Sequence, residues 1–248
     1  MNRRTIIILS SIVFVLVSIV AYIFLFHNRL SPYHPSSPPI YPIRGIDVSK
    51  HTGRVCWQTV ASRHVHFAYI KATEGAAYTD RNYRRNFDGA KRAGLKVGVY
   101  HFYRFNRSGE AQARNFLRNV DVQEQDLPMV LDVEEWGNHN HSSTRQEIIE
   151  QLHIFTNMVE QETNRRLLIY TNRNTYLKYI QGNFPQHQIW ICRLRRKPEN
   201  DMNWIKWQYT HTGIIKNVDG WVDFNYFRGT EKDWELWLQE VSIPLRKP

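Results

Sequence analysis

Cysteine is scarce in this chain, with only Cys56 and Cys192 among 248 residues. A disulfide-stapled scaffold is therefore excluded, and one bridge, outside the cytoplasm, is the most the sequence allows. A large core does not need even that one, and buried free cysteine is common. No two histidines stand at the spacing of a zinc-binding helix and no comparable ligand run occurs, so neither a metal nor another cofactor is expected. Internal repeats, helix-turn-helix patterns and zinc-finger patterns are also missing. Acids are outnumbered, 23 Asp and Glu against 33 Lys and Arg, for a net charge of +10. That excess favours an anionic partner, whether nucleic acid, a membrane surface or an acidic wall polymer, without choosing among them.

What is present is unevenly distributed. A short basic start over residues 1–4 precedes Thr5 to Phe26, a stretch without a single charge. As a helix it would be about 33 Å long, enough for a bilayer core of about 30 Å. A transmembrane signal anchor over residues 5–26 is expected, because the apolar run exceeds a signal peptide's and no small-residue cleavage site follows. Arg3 and Arg4 favour an inside N-terminus, which would put the rest of the chain outside the cytoplasm, in a periplasm or on a cell surface. Residues 27–39 are rich in Pro and Ser and read as a tether. The remaining residues, 40–248, form one sizeable domain, expected to be monomeric, with a charge of about +7 once Arg3, Arg4 and Arg29 are set aside.

Within that domain short apolar runs alternate with amphipathic stretches. Strands are expected at 44–48, 67–71, 96–103, 128–133, 167–171, 188–191, 204–209 and 221–224. Helices are expected from Arg81 to a stop at Gly94, from Ser108 as cap to Val120, and after a capping box at Ser143-Thr144-Arg145-Gln146. Beyond residue 181 helical patterns thin out. Such alternation implies an α/β fold with a parallel sheet, and eight strands imply a TIM-like barrel with its site at the strands' C-terminal ends.

Polar residues gather where those strands end. Leu131-Asp132-Val133-Glu134-Glu135-Trp136 places acids directly after a buried run, and strand alternation turns Asp132 and Glu134 to one face, about 6.6 Å apart. Asp47 closes the first strand, Glu74 follows the second, and Tyr100, His101 and Tyr103 belong to the third. Gln208 ends the seventh; Asp223 and Asn225 end the eighth. Each has a plainer reading taken alone: Asp47 as a turn cap, His101 as a hydrogen-bonded core residue, Asp223 as a loop anchor. Together they point to one acidic mouth. Two carboxylates, one protonated and one ionised, are the minimum equipment for cleaving a glycosidic bond. Trp136 and other aromatics could stack on sugars, although most aromatics at strand spacing are core.

The order of these blocks resembles glycoside hydrolase family 25, the lysozymes that act as N-acetylmuramidases. The likeness runs from Arg44 to Phe227 and is carried by Gly45-Ile46-Asp47-Val48-Ser49, Ala68-Tyr69-Ile70-Lys71-Ala72-Thr73-Glu74-Gly75, Gly98-Val99-Tyr100-His101-Phe102-Tyr103, Leu131-Asp132-Val133-Glu134, Ile169-Tyr170-Thr171, Trp207-Gln208-Tyr209 and Val222-Asp223-Phe224-Asn225. The resemblance implies an irregular barrel of five β/α units plus three strands. It implies hydrolysis of the β-1,4 bond between N-acetylmuramic acid and N-acetylglucosamine, with peptidoglycan glycan strands as partner. Glu134 would be the proton donor, Asp47, Asp132 and Asp223 its acidic companions, and Tyr100 and His101 part of the sugar subsite. Tyr103, Glu74, Trp136, Gln208 and Asn225 would complete the substrate contacts. Desolvation, with Trp136 as cover, would keep Glu134 protonated, while hydrogen bonds would keep Asp132 and Asp47 ionised. Two departures stand out: His51-Thr52-Gly53 after the first strand, and Cys192-Arg193-Leu194-Arg195-Arg196 after the sixth. A non-catalytic sugar-binding barrel would have no need of four acids, and an external location argues against specific nucleic-acid binding.

Overall fold

The computed structural model describes residues 11–22 and 41–245, except 139 and 195. Two units are distinguished, Met1–His34 and Pro35–Pro248. Of the first, residues 11–22 form helix α1. Among the described residues no helix is long and apolar enough to cross a membrane. The expected span over 5–26 is corrected on that ground, and with it the membrane partner and the anchored location. The remaining parts of that span, the basic start and the tether lie outside the described residues.

The second unit is a closed barrel. Its strands are β1 (Arg44–Val48), β2 (Phe67–Glu74), β3 (Tyr78–Thr79), β4 (Lys96–Phe102), β5 (Val130–Asp132), β6 (Leu168–Asn172), β7 (Ile189–Cys192), β8 (Trp204–Gly213) and β9 (Val222–Phe227). They pair in the order β1-β9-β8-β7-β6-β5-β4-β2-β3, and a β1–β2 pairing shuts the cylinder, leaving β3 as a short antiparallel flap on β2. Neighbours from β1 through β2 and β4 to β8 run parallel. Only β9 is reversed, antiparallel to both β8 and β1. All eight expected strands are found, and the barrel comprises five β/α units followed by three strands.

Local chemistry sets the helices that wrap it: α2 (Trp57–Ala61), α3 (Tyr83–Arg92), α4 (Gly109–Asn119), α5 (Arg145–Thr163), α6 (Arg173–Thr175), which runs into a π turn at Tyr176–Ile180, and α7 (Glu231–Ser242). Gly94 ends the α3 segment with φ +83°, a conformation glycine adopts without steric cost. Ser108 caps α4 by accepting from Ala111 N. The capping box of α5 lies one residue later than its sequence pattern suggests, between Thr144 and Glu147. Helix α7 has no counterpart among the expected elements; its own capping box, Thr230 with Asp233, starts it.

Strand alternation divides the apolar residues into two cores. Ile46, Val48, Ile70, Val99, Leu131, Ile169 and Ile191 face outward onto the helices. Phe67, Tyr69, Val130, Leu168, Trp190 and Phe227 fill the lumen. Gly45 is required here, since a Cβ on it would lie 2.1 Å from the Phe67 ring. Trp234 and Trp237 of α7 join the lumen cluster and plug the floor of the barrel, Trp234 stacked on Phe67 at 5.4 Å.

Lys206 is sealed into that plug. Its Nζ sits 3.5 Å from the centre of the Trp237 ring, with Phe67, Tyr69, Phe227 and Trp234 within 5.9 Å and no hydrogen-bond partner. Burial pushes its pKa well below the ordinary lysine value. The unfolded chain then binds more protons than the native one, so stability rises with pH between the lowered native pKa and about 10.4. Lys206→Met should stabilise the barrel at pH 7 by roughly 1–3 kcal/mol and flatten that rise. Urea unfolding at pH 7 and pH 9 checks it; a loss of stability at pH 7 would mean the aromatic contacts outweigh desolvation.

Candidate active site

The upper lumen is polar where the floor is aromatic. Asp47, 7% exposed, leaves β1 pointing inward, and its Oδ2 accepts from Gln208 Nε2 at 3.0 Å and Asn225 Nδ2 at 2.8 Å. Both amides are oriented from behind. Tyr170 OH donates to Gln208 Oε1 at 2.8 Å, and Trp190 Nε1 donates to Asn225 Oδ1 at 2.8 Å. With their oxygens occupied, the amides present N–H to the carboxylate. Four strands thus hold one acid: β6, β7, β8 and β9.

The reversal of β9 explains how Asp223 reaches the mouth. In a parallel strand its position near the start would be at the floor, but antiparallel pairing sets Asp223 directly opposite Asp47. The sequence expectation that Asp223 ends a strand is corrected: it begins one. His211 Nδ1 lies 3.5 Å from Asp223 Oδ1, and this partner raises the imidazole's pKa.

Asp132 ends β5, 6% exposed, and its Oδ1 has no partner among the described residues. The strand is shorter than expected, yet Tyr103 N donates to Asp132 O and Val133 N to Tyr170 O, each at 2.9 Å, so the extended path continues toward Glu134. Asn138 fixes the loop beyond: its Nδ2 donates to Glu134 O at 2.8 Å and Tyr103 O at 2.9 Å, and its Oδ1 accepts from Phe105 N at 3.0 Å. Glu135 points elsewhere, paired with Lys178 and Tyr179.

Burial raises the pKa of Glu134 to about 7; Asp223 adds to this, while His211 and Lys71 oppose it. Asp47 is raised by burial and by Asp223 despite its two amide donors, and Asp132 by burial and by Glu134. Burial and neighbouring like charge thus work against the hydrogen bonds expected to keep these two ionised. Trp136 is 72% exposed, so the barrel mouth rather than a tryptophan cover desolvates Glu134.

Of the other predicted contacts, Tyr100 faces the lumen near Asp47, Asp132 and Asp223. Glu74 stands at the rim, bound by Lys71 Nζ at 2.6 Å and by Arg104 Nε at 2.8 Å. His101 and Tyr103 are not brought to the mouth. They occupy the opposite face of β4, where His101 Nδ1 bonds Thr73 Oγ1 at 2.7 Å, its Nε2 meets Gln112 Oε1 at 3.2 Å, and its ring stacks on Phe155 at 4.9 Å. Tyr103 packs against Phe105 and Phe155. The parity that selects Tyr100 rejects both neighbours. Lys71, Tyr170 and His211 were not among the expected site residues. Lys71 and Tyr170 share the inward parity of their strands. His211 follows register shifts in β8, which alternation cannot anticipate. Cys56 and Cys192 are both free, and burial pushes the Cys192 thiol up to about 12.

Residues 46–218 match the model of glycosyl hydrolases family 25. The chain belongs to that family. It is a glycoside hydrolase, similar to a family 25 glycosyl hydrolase from Bacillus anthracis, with 33% identity and a TM-score of 0.74 over 82% of this chain and 97% of that one. A bacterial lysozyme structure from Streptomyces coelicolor is 30% identical, with a TM-score of 0.72 over 82% of this chain and 99% of that one. Lysozyme M1 of Streptomyces globisporus is 36% identical over 206 residues, 76% of this chain and 68% of that protein.

With Glu134 as the proton donor expected from the sequence, a pKa of about 7 predicts that activity falls as pH rises through that value. Removing the imidazolium with His211→Ala lets the pKa of Glu134 climb, so the alkaline limb of kcat/KM should move to higher pH. An unmoved or lowered limb in the pH–rate profile would break the assignment.

Proposed function

We propose that this chain is a lysozyme-type peptidoglycan hydrolase that cleaves the β-1,4 bond between N-acetylmuramic acid and N-acetylglucosamine, with Glu134 as general acid. The observation that carries the reading is a carboxyl desolvated to a pKa of about 7, beside three further acids at the mouth of a family 25 barrel. Such a group keeps its proton in about half of the molecules at neutral pH and gives it up readily. Glu134 donates to the leaving O4 of the glucosamine as positive charge develops at C1 of the muramic acid. The neighbouring acids stabilise that charge. Tyr100, Glu74, Gln208 and Asn225 shape and orient the mouth. The exposed Trp136 and Trp221 offer stacking faces at its rim.

The nucleophile in this reading is the substrate's own acetamido oxygen. Asp132 Oδ1 is a buried acceptor with no donor, and the acetamido N–H is the donor it lacks. Attack by that oxygen inverts C1 once, and water opening the resulting ring inverts it again, so the product keeps its configuration. Proton NMR should detect the β-anomer first; an initial α-anomer would mean that an acid activates water directly.

The hydrolase unit is taken to begin near Ile40, because Tyr41 and Ile43 are already buried in its two cores. In a chain starting there, Glu134→Gln should lower kcat by about 100- to 10,000-fold with the fold intact. Glu135→Gln, which removes only an exposed ion pair, should cost little. Mass spectrometry of the digest should find new reducing ends on muramic acid. Reducing ends on glucosamine, or a Glu134→Gln enzyme within threefold of wild type, would refute the assignment.

A further inference from the structure

Beside the acidic mouth lies a cavity of about 460 Å³, walled by the β2–β3 turn, the segment after β4 and the loop after β5. Its walls are pinned. Asn115 Nδ2 donates to Gly75 O at 2.9 Å and Tyr78 O at 3.2 Å, which holds the turn, and Asn138 holds the loop that carries Glu134. Arg104 ties the two sides together, bonding Glu74 on one and Gly137 O on the other. Phe102, with Lys71 at 4.6 Å and Arg104 at 5.0 Å from its ring centre, lies between this cavity and the mouth.

The charges lining this space do not balance. Its one acid, Glu74, already has two cations, Lys71 and Arg104. Arg107 lines it too, and among the described residues its side chain makes one long hydrogen bond, 3.4 Å to Asn106 O, and no ion pair. His141 also lines it, its ring set edge-on to Phe105 at 5.3 Å and its Nδ1 buried with no partner among the described residues. A rigid pocket with an unpaired guanidinium and an unpartnered imidazole nitrogen is built for a carboxylate.

Position narrows the source. One strand, β4, separates β2 from β5, so the rim at Glu74 is about 10 Å from the path of Glu134, two inter-strand spacings. An extended peptide covers about 3.3–3.6 Å per residue. A peptide hanging from the lactyl group of a muramic acid in the mouth therefore brings the carboxylate of its second or third residue to the cavity. We propose that this pocket binds a stem-peptide carboxylate, Arg107 forming the ion pair and His141 donating from Nδ1. The proposal rests on the muramidase reading above and adds a preference for glycan that still bears its stems.

The test compares the full chain and Arg107→Gln on intact peptidoglycan and on glycan stripped of its stems by an amidase. The ratio of kcat/KM on intact to stripped substrate should fall about tenfold in Arg107→Gln, the loss of one charge-assisted contact. Arg107→Lys should recover part of it. Equal losses on both substrates would make the pocket a sugar subsite or a structural brace, and an unchanged ratio would leave it no ligand of this kind; either overturns the proposal. Wild-type turnover of the stripped glycan tests the muramidase reading separately, and its complete absence would remove both.

Discussion

Carboxylates crowded into a space that water cannot fill repel one another and resist ionisation, and much of the upper barrel is arranged around that tension. Asp47 has two amide donors, each aligned by a buried Tyr170 or Trp190. Asp223 has His211. Asp132 has only the field of Lys71, itself tied to Glu74, and Glu134 has the fields of His211 and Lys71 without a hydrogen-bond donor to its carboxyl among the described residues. The gradation matters because the least supported acids keep a proton most readily. Removing a support would change the chemistry before it changed the fold.

The aromatic floor and the polar mouth depend on each other through the same strands. Inward side chains on the floor side are apolar, as with Phe67 and Leu168, while inward positions nearer the mouth become Lys71 or Tyr170. Helix α7 closes the lower end with Trp234 and Trp237, keeping water from entering behind the acids. Lys206 is the exception, a charge-bearing side chain among rings, buried at the opposite end of the lumen from the acids.

The eight strands, three of the early helices and most of the acids near the strand ends were legible because each rests on local signals, namely apolar runs, a cap at Ser108, a stop at Gly94 and period-two alternation, whereas the count of five β/α units was implied by the family resemblance. Parity was available too, and would have separated Tyr100 from His101 and Tyr103 had it been applied to β4 as it was to Asp132 and Glu134. What could not be read was the direction of β9, set by pairing with both β8 and β1 rather than by its composition. The bulges that deliver His211 are likewise long-range features. Helix α7 was missed although Thr230 and Asp233 announce it, because its tryptophans read as core without an obvious partner. The apolar run near the start illustrates the opposite error: hydropathy alone suggested a span, whereas among the described residues no helix is long and apolar enough to cross a membrane.

The reversal of β9 also decides where the polypeptide leaves the barrel. A last strand parallel to the others would finish at the mouth and send the following chain across the cleft. Instead β9 descends, α7 packs beneath the floor, and Leu245 N donates to Asn164 O at 2.8 Å, just past the end of α5 and below the start of β6. Tyr41, at the other end of the unit, meets Trp204 at the start of β8, also on the floor side. Entrance and exit are on the face away from the substrate. Neither end of the described barrel unit therefore crosses the open end where the acids lie.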